Sequence, residues 1–237
     1  TSICRNKLTI CSGVCFLPFA MFRSFSYQSL SRELVRKRPG TPVFVRTCSM
    51  ADGRRVADLF EFEIMKVPIQ EILDVNLEAM VRAEVLSAYT QLKVPCIVEH
   101  AGIVFDDYAG KSYPGGLTKP MWDTLKDQFI EETRSAGRAA TARAVIAYCD
   151  GMRILTFVGE RKGRIAEQVR GSRKFYWDTI FMPDDPMGNA SGRTYAEIVD
   201  DPHLGLDYKI EHLSQSSMAM KAFLEFRLSN DDAEIWR

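Results

Sequence analysis

Pro95-Cys-Ile-Val-Glu-His-Ala-Gly102 reads as a short buried strand, Pro95 to Val98, that ends on a carboxylate, an imidazole and a glycine. The run before it is helical. Between Glu71 and Leu92 the apolar residues Leu73, Leu77, Met80, Val81, Val85 and Ala88 recur at helix spacing and mark one inward face. Ile103-Val-Phe105 is expected to extend the strand after a turn. The same alternation continues outward in both directions. Upstream, Val43-Phe-Val45 is a short strand, Arg54–Glu61 a helix, and Pro68 breaks the next extended piece. Downstream come a glycine-rich turn at Pro114-Gly-Gly116, a helix from Trp122 to Ile130, and a hairpin of Ala139–Tyr148 with Arg153–Val158 around the turn pair Asp150-Gly151. Gly159, Gly163 and Ile165 suggest another turn and strand, Pro183–Arg193 a polar loop, and Ser214–Leu228 a closing helix. No repeat of 20–50 residues is present, and the alternation points to an α/β fold.

Composition narrows the function classes. The chain has 237 residues with 31 Lys+Arg against 31 Asp+Glu, a balance that argues against broad electrostatic capture of nucleic acid. Cysteines at 4, 11, 15, 48, 96 and 149 follow no zinc-site spacing and read as isolated thiols of a reducing compartment. No apolar run approaches the ~20 residues that a membrane helix needs. The first forty residues differ from the rest: Arg5, Lys7, Arg23, Arg32, Arg36, Lys37 and Arg38 face a single acid, Glu33. Residues 1–40 are therefore expected to form a basic N-terminal extension and 41–237 the folded body, with Pro39-Gly-Thr-Pro42 at the boundary. The extension has the Arg- and Ser-rich composition of a mitochondrial transit segment. It reads equally as a basic arm lying on a partner protein or on RNA phosphates.

Several local patterns occur in a telling order. Arg54-Arg-Val-Ala-Asp opens a helix after the first strand, Val98-Glu-His-Ala-Gly102 follows, and Pro114-Gly115 comes next. Phe157-Val-Gly159 pairs with Gly163-Arg-Ile165; Phe175-Tyr-Trp-Asp178 is followed by Phe181 and Pro183. Thr194-Tyr-Ala-Glu197 precedes Lys209, which stands five residues before Ser214. From about residue 42 to 228 this series resembles the Ham1/ITPase family of nucleoside triphosphate pyrophosphatases. The resemblance implies a long mixed sheet with flanking helices, two lobes around a central cleft, and often a homodimer. It also implies a Mg²⁺-dependent split of inosine, xanthosine or related triphosphates into monophosphate and pyrophosphate.

The resemblance assigns roles to particular residues and shows where this chain departs from them. Glu99 is retained as the catalytic, magnesium-holding carboxylate, but His100 stands where the family has its catalytic aspartate, and imidazole suits a hard cation poorly; catalysis would need His100 as the water's base while Glu99 and another acid held the metal. Glu71, Asp74 and Glu78 are candidates for a second acid. On the phosphate side Cys48 replaces an asparagine, and Arg55 falls near the place of a lysine. Phe175, Trp177 and Asp178 keep the aromatic-and-acid pattern of a purine pocket, with Tyr176 where the family has glycine. Lys209 is kept, while Ser-His-Arg becomes Ser214-Gln-Ser216 and loses its base-reading arginine. Changes in phosphate grip, water activation and base choice lead to the expectation of a non-catalytic Ham1-like component of a larger assembly, such as a mitochondrial ribosomal complex. The alternative is a divergent Mg²⁺-dependent pyrophosphatase of ITP/XTP-type nucleotides. A domain released from a viral polyprotein is a related expectation, and cytoplasm is the alternative to a mitochondrial location.

Overall fold

The computed structural model describes residues 9–12, 41–45, 63–69, 71–133 and 138–230. Eight strands form one sheet in the order β2-β3-β1-β4-β6-β7-β8, with β5 attached to β4. The strands are β1 (Thr9–Ser12), β2 (Thr41–Val45), β3 (Glu63–Val67), β4 (Cys96–Phe105), β5 (Pro114–Gly115), β6 (Ala139–Cys149), β7 (Ile154–Ile165) and β8 (Phe181–Pro183). β1 runs parallel to β3 and β4, and the other pairings are antiparallel, so the sheet is mixed as expected. The boundary drawn at residue 40 does not divide the sheet, because β1 lies between β3 and β4. The helix expected at Arg54–Glu61 lies outside the described residues.

Helix α1 (Leu77–Leu92) starts later than its apolar spacing suggested. The Asn76 side chain accepts hydrogen bonds from the amides of Glu78 and Ala79 at 2.9 and 3.2 Å, which stops the helix from reaching back to Glu71. Its buried stripe is Leu77, Met80, Val81, Glu84, Val85 and Ala88. Leu77, Val81, Val85 and Ala88 pack on Cys96 and Val98 of β4 and on Val145 and Ala147 of β6. Each fully buried valine there contributes roughly 1.5–3 kcal/mol over an exposed one.

Two glycines taken for turns prove to be packing positions inside strands. β4 is continuous through Gly102, where a Cβ would lie 2.2 Å from the Gly115 carbonyl oxygen of β5. β7 is continuous through Gly159, where a Cβ would lie 1.9 Å from the Gln215 carbonyl oxygen. The hairpin reading holds: β6 and β7 pair from Ala139↔Arg164 to Cys149↔Ile154. Asp150 stabilises the turn by accepting from the amides of Met152 (3.0 Å) and Arg153 (2.9 Å).

The remaining helices cover the other side and one end. α2 (Thr118–Leu125) begins before Trp122 and passes into a 3₁₀ segment, Lys126–Thr133. α3 (Tyr195–Asp200) opens with a capping box formed by Thr194 and Glu197. α4 (Gly205–Tyr208) leads into a π-helical turn, Lys209–Leu213, and α5 (Gln215–Ser229) closes the fold. Ala219, Met220, Phe223 and Leu224 of α5 pack on Ile97, Ala101, Ala144, Ile146 and Tyr148, the face of β4 and β6 opposite to α1. A third cluster gathers Phe105, Trp122, Phe129, Trp177, Phe181 and Tyr195. Among the described residues no helix is long and apolar enough to cross a membrane.

Candidate active site

Strand alternation decides the layout. Ile97 and Ala101 face α5, whereas Cys96 and Val98 face α1. Glu99 therefore belongs to the α5 face and His100 to the α1 face, although they are neighbours in sequence.

Glu99 is 1% exposed, and among the described residues neither carboxylate oxygen has a partner at hydrogen-bond distance. Burial pushes its pKa from 4.5 up to about 7, against the opposing pull of the nearby Ser216 hydroxyl and of His100. Ser214 caps α5 by accepting from the Ser217 amide at 3.2 Å, and the whole Ser214-Gln215-Ser216 turn is buried. The signature that the resemblance drew attention to is thus the N-terminus of α5, seated over β7 at Gly159.

From that turn a polar network runs to the base-side residues. Tyr195 donates to the Leu213 carbonyl at 2.9 Å and to Gln215 Oε1 at 3.1 Å. Lys209 Nζ lies 4.4 Å from the Tyr195 ring centroid and 5.6 Å from that of Phe175. The same ammonium forms an ion pair with Asp178 Oδ2. Both side chains are largely buried, at 12% and 9% exposure, which makes the pair more than a surface contact. Burial raises the Asp178 pKa, and Lys209 opposes the rise by charge and hydrogen bonding. Arg161 braces the π-helical turn by donating to the carbonyls of His212 (2.8 Å) and Leu213 (3.2 Å).

The aromatic pattern divides into two roles. Trp177 is 5% exposed and packs edge-on to Phe181, with centroids 5.9 Å apart, and tilted against Tyr195. It is a core residue and offers no open face for stacking, contrary to its sequence assignment as a nucleotide contact. Phe175 is half-buried and carries Lys209 over its ring, which leaves it as the stacking candidate. Tyr176 has a φ of 26°, a backbone setting that suits the glycine of the family pattern better than tyrosine. Lys119 Nζ sits 5.6 Å from its ring centroid.

On the opposite face His100 is 4% exposed, and its Nδ1 lies 3.7 Å from Oε1 of the fully buried Glu84. Among the described residues neither Glu84 oxygen nor His100 Nδ1 has a hydrogen-bond partner. Glu84 was not singled out from the sequence. Its signal is visible in retrospect: an acid at helix spacing within the stripe Met80, Val81, Val85 and Ala88.

The suggested second acids are engaged elsewhere or open to solvent. Glu78 accepts from Thr156 Oγ1 at 2.8 Å, Asp74 accepts from the Asn76 amide at 2.8 Å, and Glu71 is exposed. Among the described residues no three His, Cys, Asp or Glu side chains converge as a metal cluster. Arg55 and Cys48 lie outside the described residues.

A model of the Ham1 family matches residues 45–225. The chain is 28% identical over 184 residues to a dITP/XTP pyrophosphatase of Methanopyrus kandleri, covering 76% of this chain and 90% of that one. It is 32% identical over 164 residues to an inosine triphosphate pyrophosphatase of Candida glabrata, covering 67% and 77%. The fold matches the Ham1 protein of Staphylococcus aureus with a TM-score of 0.52 at 18% identity, covering 70% of this chain and 82% of that one. A Ham1 protein of Coxiella burnetii matches at 0.52 and 21%, covering 68% and 82%. A sheet of this order, a family pattern kept from the first strands to the last helix, and relatives that align over most of their length lead to one conclusion: the chain belongs to the Ham1 family.

Proposed function

We propose that the chain is a divergent Mg²⁺-dependent nucleoside triphosphate pyrophosphatase that takes ITP/XTP-type nucleotides to monophosphate and pyrophosphate. The observation that carries this reading is the buried Asp178–Lys209 pair beside the half-buried Phe175. A 6-oxopurine presents an N1–H donor and an O6 acceptor side by side, matching a carboxylate acceptor next to an ammonium donor. Phe175 adds a stacking face, worth about 1–3 kcal/mol. Maintaining a buried ion pair that is rigidly framed by Tyr195, Gln215 and the π-helical turn suits recognition better than a merely structural contact.

Glu99 fits the magnesium requirement in kind, since its two buried oxygens lack partners among the described residues and a hard cation satisfies such acceptors. Mg²⁺, when bound, would be held by Glu99 together with substrate phosphates and water, and would offset phosphate charge. A site of this type does not need three protein carboxylates. Lys209 with Asp178 would orient the base.

A second reading, a non-catalytic component of a larger assembly, draws on His100 in place of an aspartate and on the missing three-acid cluster among the described residues. Contacts of the first forty residues with protein or RNA, and a mitochondrial location, belong to that reading. One assay separates the two: pyrophosphate release from ITP, XTP and ATP, with and without Mg²⁺, for the parent and Glu99→Gln. Mg²⁺-dependent turnover of ITP and XTP that is lost in E99Q is the expected result. A stably folded parent with no turnover of any triphosphate would overturn it in favour of the second reading.

A further inference from the structure

Cys96 opens β4 and Cys149 closes β6, and the antiparallel register sets the two directly opposite each other. Both are reduced and buried, and both belong to the cluster packed against α1, so their side chains leave the sheet on one face. Opposed residues of an antiparallel pair have Cα atoms about 4.5 or 5.5 Å apart, depending on their backbone hydrogen bonding, and a disulfide spans Cα distances of about 4.4–6.8 Å. Tyr89 of α1 lies against both thiols: burial raises its pKa, and the charges that Cys149 and Cys96 would carry raise it further. Cys96 also donates to the Val85 carbonyl at 3.8 Å, which holds it under the helix. Packing alone asks for no second thiol across from the first. The next opposed pair on this face, Val98 and Ala147, is hydrocarbon on both strands.

The hairpin end offers a way in. Cys149↔Ile154 is the last β6–β7 pair, and Gly151, Met152 and Arg153 beyond it are exposed. Burial pushes the Cys149 thiol up, against the pull of a hydrogen bond from the Gly151 backbone, so its attack awaits fraying of that pair.

We propose that Cys96 and Cys149 form a reversible cross-strand disulfide when hydrogen peroxide reaches the hairpin end. This modification is independent of the pyrophosphatase reading. The Cys149 thiolate attacks one peroxide oxygen, the O–O bond breaks, and the departing hydroxide takes up a proton to leave as water. Cys149 is then a sulfenic acid. Cys96 Sγ gives up its proton and attacks Cys149 Sγ, the S–O bond breaks, and hydroxide again leaves as water. Two thiols and one peroxide thus become one disulfide and two waters; the sulfurs are oxidised and the peroxide is reduced. Opposed Cβ atoms lie about 4.5–5.5 Å apart, wider than the mean of about 3.8 Å in disulfides, so the bond is strained and an excess of thiol reverses it.

The test treats the full folded chain with a modest excess of hydrogen peroxide, alkylates remaining thiols after unfolding, and maps tryptic peptides by mass. Peptides 94–111 and 144–153 hold Cys96 and Cys149 and no other cysteine. They are expected as one linked species, lighter than their sum by two hydrogens, that separates on treatment with dithiothreitol. Cys149→Ala should lose the linked species and keep Cys96 reduced. Cys96→Ala should leave Cys149 as a sulfenic acid that dimedone traps. Both peptides recovered singly and alkylated from the treated parent would overturn the proposal. So would either cysteine joined to a different one, Cys149 carried on to the sulfinic acid in the parent, or a linked species that forms only when the chain is unfolded before peroxide is added. Should either variant fail to fold, the peptide map of the parent decides by itself.

Discussion

The two faces of β4 carry different kinds of polar chemistry. On the α5 face a chain of contacts runs from Glu99 past Ser216 and Gln215 to Tyr195, Lys209 and Asp178, and from Gln215 onward its members are hydrogen-bonded or ion-paired. On the α1 face Glu84 and His100 lie among valines, with three polar atoms that have no partner among the described residues. Satisfied buried networks hold a geometry; unsatisfied ones store a cost that a ligand or a reaction step can relieve. Among the described residues, the polar groups of the α5 face are thus held by one another, with Glu99 the exception, while those of the α1 face are left open.

The largest test of this contrast removes one member of the satisfied pair. Lys209→Met leaves Asp178 buried without its cation and should lower unfolding free energy by about 3–5 kcal/mol, measured by urea denaturation at pH 7. A loss below ~1 kcal/mol would show that the pair is solvated and the network is not what holds the turn.

Glu99 supplies a second test with a definite sign. In metal-free protein its folded pKa is about 7 against an ordinary 4.5, so between these values the folded state binds more protons than the unfolded state. Stability should therefore fall as pH rises from about 4.5 to about 7, by about 3 kcal/mol from this group, and stay level on either side. Glu99→Gln should lose that part of the slope. Parallel pH profiles for parent and E99Q, measured by denaturant unfolding with chelator present, would show that Glu99 is better solvated than its burial indicates.

The smallest expected effect sharpens the other face. Replacing Glu84 and His100 together by leucine removes three orphaned atoms, and should raise stability by about 1–2 kcal/mol in thermal and urea unfolding. A destabilised double variant would mean that the two side chains already have partners, and the contrast between the faces would dissolve.

Much of this molecule is legible in its residues because the signals are local. The amphipathic stripe of α1, the Asp150-Gly151 hairpin, the closing helix and the ordered series from Arg54 to Ser214 need only spacing and neighbouring residues. So does the choice of Glu99, Asp178 and Lys209 as the polar groups worth attention, since the family pattern names them one position at a time. What sequence reading placed wrongly depended on what lay across the fold. Gly102 and Gly159 looked like chain reversals, because from sequence a glycine that lets another backbone approach is indistinguishable from one that turns. Trp177 looked like a stacking surface until Phe181 and Tyr195 closed over it.

By itself the sequence determined the family and the alternation of strands and helices, and it singled out Asp178 and Lys209 one position at a time. Only the tertiary structure decided which groups share a face. Glu99 and His100 are adjacent in the chain, and the two-residue period of a strand sends them to opposite sides of the sheet. Glu84 and His100 belong to different elements, and they meet because α1 lays its buried stripe across β4.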